Sequence, residues 1–281
     1  MPPAPSKHFL VVSDFDQTLS FNDSGQILSD LLGITDFRQK VDGLASSNLV
    51  QQGAELAYLI RHDPAFRGVR KEHLAEAGRL VRLRSDIPAL VEFLKRGLDG
   101  FQFSFFVISA APQEVIQSAL AGAVAVDHII GTEFDYDSDS GEVHAIRRVP
   151  AGYGKVAVLE QLEERLGSPP DRTIYIGDGS SDVHVMLHVN SRDGFTIAVS
   201  ENRLLARIAQ STVISDNAFS ILIPILERIV GWRPAEIREC FESYALRLHE
   251  WEKARTDRVT IVATSPWPSD PSIGPDIVAA H

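Results

Sequence analysis

Two aspartates one residue apart, Asp14 and Asp16, close the segment Phe9-Leu10-Val11-Val12-Ser13-Asp14-Phe15-Asp16-Gln17-Thr18. The apolar run ahead of them is rich in β-branched side chains and predicts a buried strand. Aspartate is a poor strand residue, so a pair ending such a run points to a site at the strand's carboxyl end, where open α/β sheets bind ligands. Carboxylates this close raise each other's pKa unless a cation lies between them, and a hard cation such as Mg2+ takes oxygen ligands of this kind. One carboxylate can then attack phosphorus while the other moves protons. A surface turn with two solvated acids is the competing account. Asp-x-Asp-x-Thr alone does not separate the two.

Three further stretches carry groups that would serve such a site. Ser109 follows the apolar run Phe101–Ile108, which sets its hydroxyl and the next backbone N–H groups at the same sheet edge as Asp14. Such groups hold phosphate oxygens well. Lys155, in Gly152-Tyr153-Gly154-Lys155, opens a helix whose dipole joins its ammonium against an anion. Gly177-Asp178-Gly179-Ser180-Ser181-Asp182 follows another apolar run, and Asp178 is placed to complete an oxygen-rich metal site. Each stretch has an ordinary structural reading by itself: a serine after a strand, a solvated lysine, a turn.

The elements that position these residues alternate. Strand patterns at 9–12, 101–108, 129–130, 173–176, 195–199 and 212–214 are separated by helical patterns at 86–98, 112–120 and 153–166, which predicts a Rossmann-like parallel sheet with helices on both faces. Asp135 to Gly141 reads as a hairpin tip. Residues 22–84 carry only helical stripes, among them Ile27, Leu28, Leu31 and Leu32, and predict an all-helical insert after the first strand that could act as a lid. The expected organisation is an α/β core over 8–21 and 85–255, a helical cap over 22–84, and a mobile Pro/Ser/Gly-rich tail over 256–281. Ile237, Phe241, Tyr244, Leu248 and Trp251 form a 4-3-4-3 stripe, read first as packing on its own domain and second as a dimer seam.

The 281 residues are 44% hydrophobic and 23% charged, as in globular proteins, with a net charge of −11 that argues against a nucleic-acid binder. The single cysteine, Cys240, excludes an internal disulfide and fits a reducing compartment. Met1 to Lys7 holds no apolar signal region, and no apolar run approaches the roughly 20 residues of a membrane span. A cytoplasmic protein, monomer or homodimer, with no membrane partner is expected. Residues 61–84 hold Arg61, Arg67, Arg70, Lys71, Arg79, Arg82 and Arg84 against Asp63, Glu72 and Glu76: either a patch that attracts an anion or a solvated helix surface.

Asp-x-Asp-x-Thr, then Ser, then Lys, then Gly-Asp-x-x-x-Asp, each after the element described, resembles the haloacid dehalogenase-like superfamily over about residues 8–230. The helical insert looks like that family's C1 cap, and the chain is most similar to the phosphoserine phosphatase-like branch. The resemblance implies a Mg2+-dependent phosphatase acting on a small phosphorylated metabolite. Asp14 would be the nucleophile that becomes aspartyl-phosphate, and Asp16 the general acid and base. Asp14, the Asp16 carbonyl and Asp178 would hold Mg2+, while Ser109 and Lys155 would bind phosphoryl oxygens. Thr18 and Asp182 would support them, and Asp23 and Arg61 would meet the substrate. The chain departs from the branch at Ala110-Ala111, where glycines are usual, at Ser181 in place of asparagine, and at Asp23 in place of glutamate. These departures point away from phosphoserine itself, and Asp16 points away from dehalogenation. A phosphotransferase using the same intermediate and a non-catalytic phospho-ligand binder are the alternatives.

Overall fold

The computed structural model describes residues 6–98, 100–248 and 251. The chain opens with β1 (Lys7–Ser13), whose last five residues are buried. Four α-helices follow before any further strand: α1 (Ser24–Leu31), α2 (Phe37–Ser47), α3 (Glu55–His62) and α4 (Lys71–Arg79). Then come α5 (Ile87–Arg96), β2 (Phe101–Pro112), α6 (Gln113–Ala119), β3 (Ile129–Tyr136), β4 (Val143–Arg148), α7 (Tyr153–Leu166), β5 (Thr173–Gly177), α8 (Val183–Ser191), β6 (Phe195–Ala198), α9 (Arg203–Ile208) and β7 (Ser211–Thr212). Helices α10 (Leu222–Ile225) and α11 (Pro234–Ser243) end the described fold, and one compact unit closes at Leu248.

The sheet runs β4-β3-β2-β1-β5-β6-β7. Every neighbouring pair is parallel except the β3–β4 hairpin. Helices cover both faces, so the central strands read as continuous apolar runs rather than alternating ones. On one face Leu10, Val12, Phe106 and Tyr175 pack with Leu159 and Leu162 of α7 and Met186 of α8. With β1 flanked by β2 and β5, the carboxyl ends of all three lie together.

The helical segment has its own apolar centre, with Leu28, Leu59, Phe66 and Leu74 buried and the Phe37 and Phe66 rings edge-to-face at 6.4 Å. The chain enters and leaves it as a paired ribbon: the Phe21 N–H donates to the Arg82 carbonyl and Arg84 N–H to the Leu19 carbonyl, both at 2.9 Å. Helix α4 is bedded on α6. A Cβ at Gly78 would stand 2.4 Å from the Val115 carbonyl oxygen, so only glycine permits this approach.

Some boundaries differ from the sequence pattern. β2 does not stop at Ser109; it continues through a register irregularity to Pro112, so Ser109 belongs to the strand. The last strand is displaced from the apolar 212–214 to Ser211–Thr212. The 237–251 stripe is cut because α11 ends at Ser243. Ala245 adopts φ +57°, and the Ala245 and Leu246 N–H groups fold back to the Glu242 and Phe241 carbonyls, a Schellman stop. Its helical part packs inward, with Ile237 and Phe241 buried and the Phe241 ring 4.9 Å from Phe219. The tail expected over 256–281 lies outside the described residues.

Candidate active site

Asp14 is the first residue past β1, and its N–H donates to the Ile176 carbonyl of β5 at 2.8 Å. The carboxylate is therefore held at the cleft between two parallel strands. One oxygen, Oδ2, lies 3.0 Å from Lys155 Nζ, whereas Oδ1 is buried with no hydrogen-bond partner among the described residues. Lys155 enters from the first turn of α7 and is completely buried. Its ammonium donates to Asp182 Oδ1 at 2.6 Å. Burial works against that charge, yet Asp14 and Asp182 together outweigh it and raise the Lys155 pKa.

Asp182 is fully committed. Oδ1 also accepts from the buried Tyr175 hydroxyl at 2.7 Å, and Oδ2 accepts from the Asp178 and Gly179 N–H groups at 3.1 and 3.2 Å. This fold-back needs Gly177, where a Cβ would stand 2.5 Å from the Asp182 carboxylate. Asp178 is fastened from two sides, by the Thr18 hydroxyl to Oδ1 at 3.1 Å and by the Ser200 hydroxyl to its carbonyl.

The acids repel. Burial, opposed by Lys155 and reinforced by Asp182, pushes Asp14 up to about 6. Burial together with Asp14 and Asp182 pushes Asp178 up to about 8. Carboxylate oxygens of Asp14, Asp178 and Asp182 lie within 4.8 Å of one another. A divalent cation relieves such a cluster, and the unpartnered Asp14 Oδ1 is a ready ligand. Mg2+ therefore fits Asp14 and Asp178. Asp182 does not serve as a direct ligand, since four donors already occupy its oxygens.

Asp16 turns away from this cluster toward α1. Ser24, the first residue of that helix, donates its N–H to Oδ1 at 3.0 Å and its hydroxyl to Oδ2 at 2.6 Å. Burial, then the neighbouring charge of Asp23, raises the Asp16 pKa well above the usual carboxylate range. Asp23 itself caps α1, with Oδ1 accepting from the Gln26 N–H at 2.9 Å.

Asp14, Asp16, Asp23, Ser109, Lys155 and Asp178 line one cavity of about 610 Å³, roofed by α1, α2 and the loop leading into α3. Thr18 and Asp182 stand behind its wall, bonded to Asp178 and Lys155. Arg61 is not brought in; it is exposed and borders a separate cavity with Asp63, Arg67 and Glu142. On α3 Leu59 and Ile60 take the core, which leaves Arg61 on the outward face. The basic residue that the helical segment does bring to the aspartate cavity is Arg38 of α2.

Sequence reasoning missed Ser24, Arg38, Glu55, Tyr175 and Arg84. Arg84 clamps the loop after the aspartates: Nε donates to the Thr18 carbonyl at 2.8 Å, one terminal nitrogen to Gln17 at 3.1 Å, and the other to Ser215. Gln17 sits at φ +58°, so the loop needs such fastening. The only available signal for Tyr175 was a hydroxyl within an otherwise apolar strand; Arg84 stood out only as a member of the 61–84 basic patch, whereas its side chain binds backbone carbonyls.

Fold and site together define the class, a Rossmann-like α/β protein with a buried Asp–Lys–Asp cluster at the carboxyl edge of its sheet. The chain belongs to the haloacid dehalogenase-like hydrolase family, whose family model matches residues 11–187. Similar solved structures include a haloacid dehalogenase family hydrolase from Salmonella enterica serovar Typhi (TM-score 0.64, 17% identity, covering 80% of this chain and 73% of that one). A substrate-bound phosphoserine phosphatase is also similar (TM-score 0.59, 16% identity, 77% and 98% coverage). A phosphoserine phosphohydrolase-like protein from Francisella tularensis is a third (TM-score 0.58, 19% identity, 76% and 99% coverage). No curated protein matches the chain. Among the described residues, no helix is long and apolar enough to cross a membrane.

Proposed function

We propose that this protein is a Mg2+-dependent phosphatase that hydrolyses a small phosphomonoester metabolite through an aspartyl-phosphate on Asp14. The observation that carries the reading is Asp14 itself: a buried carboxylate lining the cavity, with one oxygen paired to Lys155 and the other without a hydrogen-bond partner among the described residues. Asp14 and Asp178, with the Asp16 main-chain carbonyl, would hold Mg2+. The ion would neutralise phosphoryl charge and bring substrate and nucleophile together.

The residues of the chain do the rest. Lys155 and Ser109 bind the phosphoryl oxygens, and the Asp14 carboxylate attacks phosphorus as the alkoxide leaves. Asp16, whose raised pKa suits a proton donor, protonates that alkoxide and then takes a proton from the water that attacks the Asp14–phosphoryl bond. Ser24 aims Asp16 throughout. Residues 22–84 act as the cap that shields the phosphoenzyme from bulk water. The neighbouring phosphoserine phosphatases support the reaction class without carrying their substrate to this chain.

The test is phosphate release from a panel of phosphomonoesters, with Mg2+ or with EDTA, for the wild type and Asp14→Asn. Metal-dependent release that vanishes in the variant is expected. Release surviving in Asp14→Asn would assign a different nucleophile.

A further inference from the structure

Strand β5 carries a polar group into the apolar core. The Tyr175 side chain is completely buried in one cluster with Leu10, Val12, Leu159, Leu162 and Met186. Phenylalanine would fill this volume equally well, and a buried hydroxyl is costly unless it is bonded. The Tyr175 hydroxyl makes one hydrogen bond among the described residues, donating to Asp182 Oδ1 at 2.7 Å. Burial, reinforced by the Asp182 charge, raises its pKa well above the usual phenol range, so the proton stays on the phenol.

Asp182 Oδ1 is also the oxygen to which Lys155 donates, at 2.6 Å, while Oδ2 is taken by the Asp178 and Gly179 N–H groups. An ammonium carries three N–H groups. The Lys155 ammonium meets Asp182 on one side and Asp14 at 3.0 Å on another, and the residue lines the aspartate cavity, where the remaining N–H serves a phosphoryl oxygen. Two donors on one carboxylate oxygen compete for its charge, so each is held less tightly than it would be alone.

We propose that Tyr175 is a positioning residue for phosphoryl transfer. Its hydroxyl fixes Asp182 Oδ1 and takes part of that oxygen's accepting capacity, so that Lys155 is shared with Asp14 and the phosphoryl group rather than drawn wholly onto Asp182. The assignment rests on the phosphatase reading, which gives Lys155 its phosphoryl partner. Tyr175 touches no reacting atom; it acts through Asp182 and then Lys155. The effect falls mainly on kcat, since a cation of this kind is worth most where charge develops in the transition state.

The experiment measures kcat and KM for p-nitrophenyl phosphate with Mg2+ in the wild type, Tyr175→Phe and Leu162→Ala. Tyr175→Phe keeps the ring and removes only the hydroxyl. Leu162→Ala loosens the same apolar cluster without touching Asp182, and is read at a temperature where its melting curve shows it folded. In Tyr175→Phe kcat is expected to fall by about tenfold, less than for direct loss of a donor to developing charge. In Leu162→Ala it should stay within about twofold of the wild type, as for a residue that makes no contact with the reacting groups. A Tyr175→Phe kcat within about twofold of the wild type, or an equal fall in Leu162→Ala, would overturn the inference and leave the hydroxyl bond as part of the core alone. Either result leaves the phosphatase reading intact. If the wild type released no phosphate from any ester, that reading and this inference would fall together.

Discussion

Lys155 and Asp182 form an ion pair 2.6 Å apart with both side chains fully buried, and the same ammonium lies 3.0 Å from Asp14. One cation thus serves two carboxylates, and removing it strands both. Lys155→Met is expected to destabilise the fold by about 3–5 kcal/mol, the usual effect of breaking a buried pair from one side. Phosphate release should fall by about 100- to 1,000-fold, as when a preorganised donor to a developing charge is lost. Urea unfolding and steady-state kinetics check the two effects separately. A stable, active variant would remove Lys155 from the site.

The raised values of Asp14, about 6, and Asp178, about 8, link stability to pH. Unfolded, both would release their protons near pH 4. Between about pH 4 and 8 the folded, metal-free state therefore holds protons that the unfolded chain has lost, and its stability falls as pH rises. In EDTA the melting temperature should decline across this window. Mg2+ displaces those protons, so its stabilising effect should grow from pH 6 to pH 8. Asp178→Asn should flatten the metal-free slope. Thermal melts over pH with and without Mg2+ give both readings.

Arg84 touches no reacting atom, yet it fastens the carbonyls of Gln17 and Thr18, and the Thr18 hydroxyl holds Asp178. Arg84→Gln is expected to weaken Mg2+ activation by about 10- to 100-fold, the range for losing a group that orients a metal ligand. Thr18→Val should move the same constant in the same direction. Titrating activity with Mg2+ measures it, and an unchanged activation constant in both variants would refute the linkage.

Gly53 adopts φ +92°, and a Cβ there would stand 3.2 Å from Ser181 Cβ and 3.4 Å from Ala151 Cβ. The loop carrying it also donates from Gln52 to the Ser180 hydroxyl at 2.5 Å, tying the helical segment to the Asp178 loop. Gly53→Ala should cost about 1–2 kcal/mol in backbone strain and push this seam open. A raised KM with a smaller change in kcat is the expected kinetic signature. Equal losses in both would instead place the effect on the chemical step.

Asp14, Asp16, Lys155 and Asp178 were legible in the sequence because each follows or opens a regular element, and Ser109 because it ends the apolar run of β2. In a parallel sheet, equivalent ends of strands come to one edge, so order along the chain converts directly into proximity. The β1, β5 and α7 patterns were equally plain, being short apolar runs with clear stops. The stripe over 237–251 gave the inward packing of Ile237 and Phe241 but overran the helix, because the stop at Ala245 is a backbone conformation on a residue with no glycine signature.

What tertiary structure decided lies mostly in the helical segment. Periodicity shows that α3 has an apolar face, but not that Glu55 at its start would line the aspartate cavity while Arg61, two turns later, would border a different one. Nor does it show that α1 would bring Ser24 onto Asp16, or that Arg84 would reach Ser215 across 131 residues. The polar groups at the sheet edge could be read from local pattern alone, since their placement follows from where strands end and helices begin. The substrate end was decided only by how helices dock, because which side of a helix meets the cavity depends on contacts that no local pattern encodes.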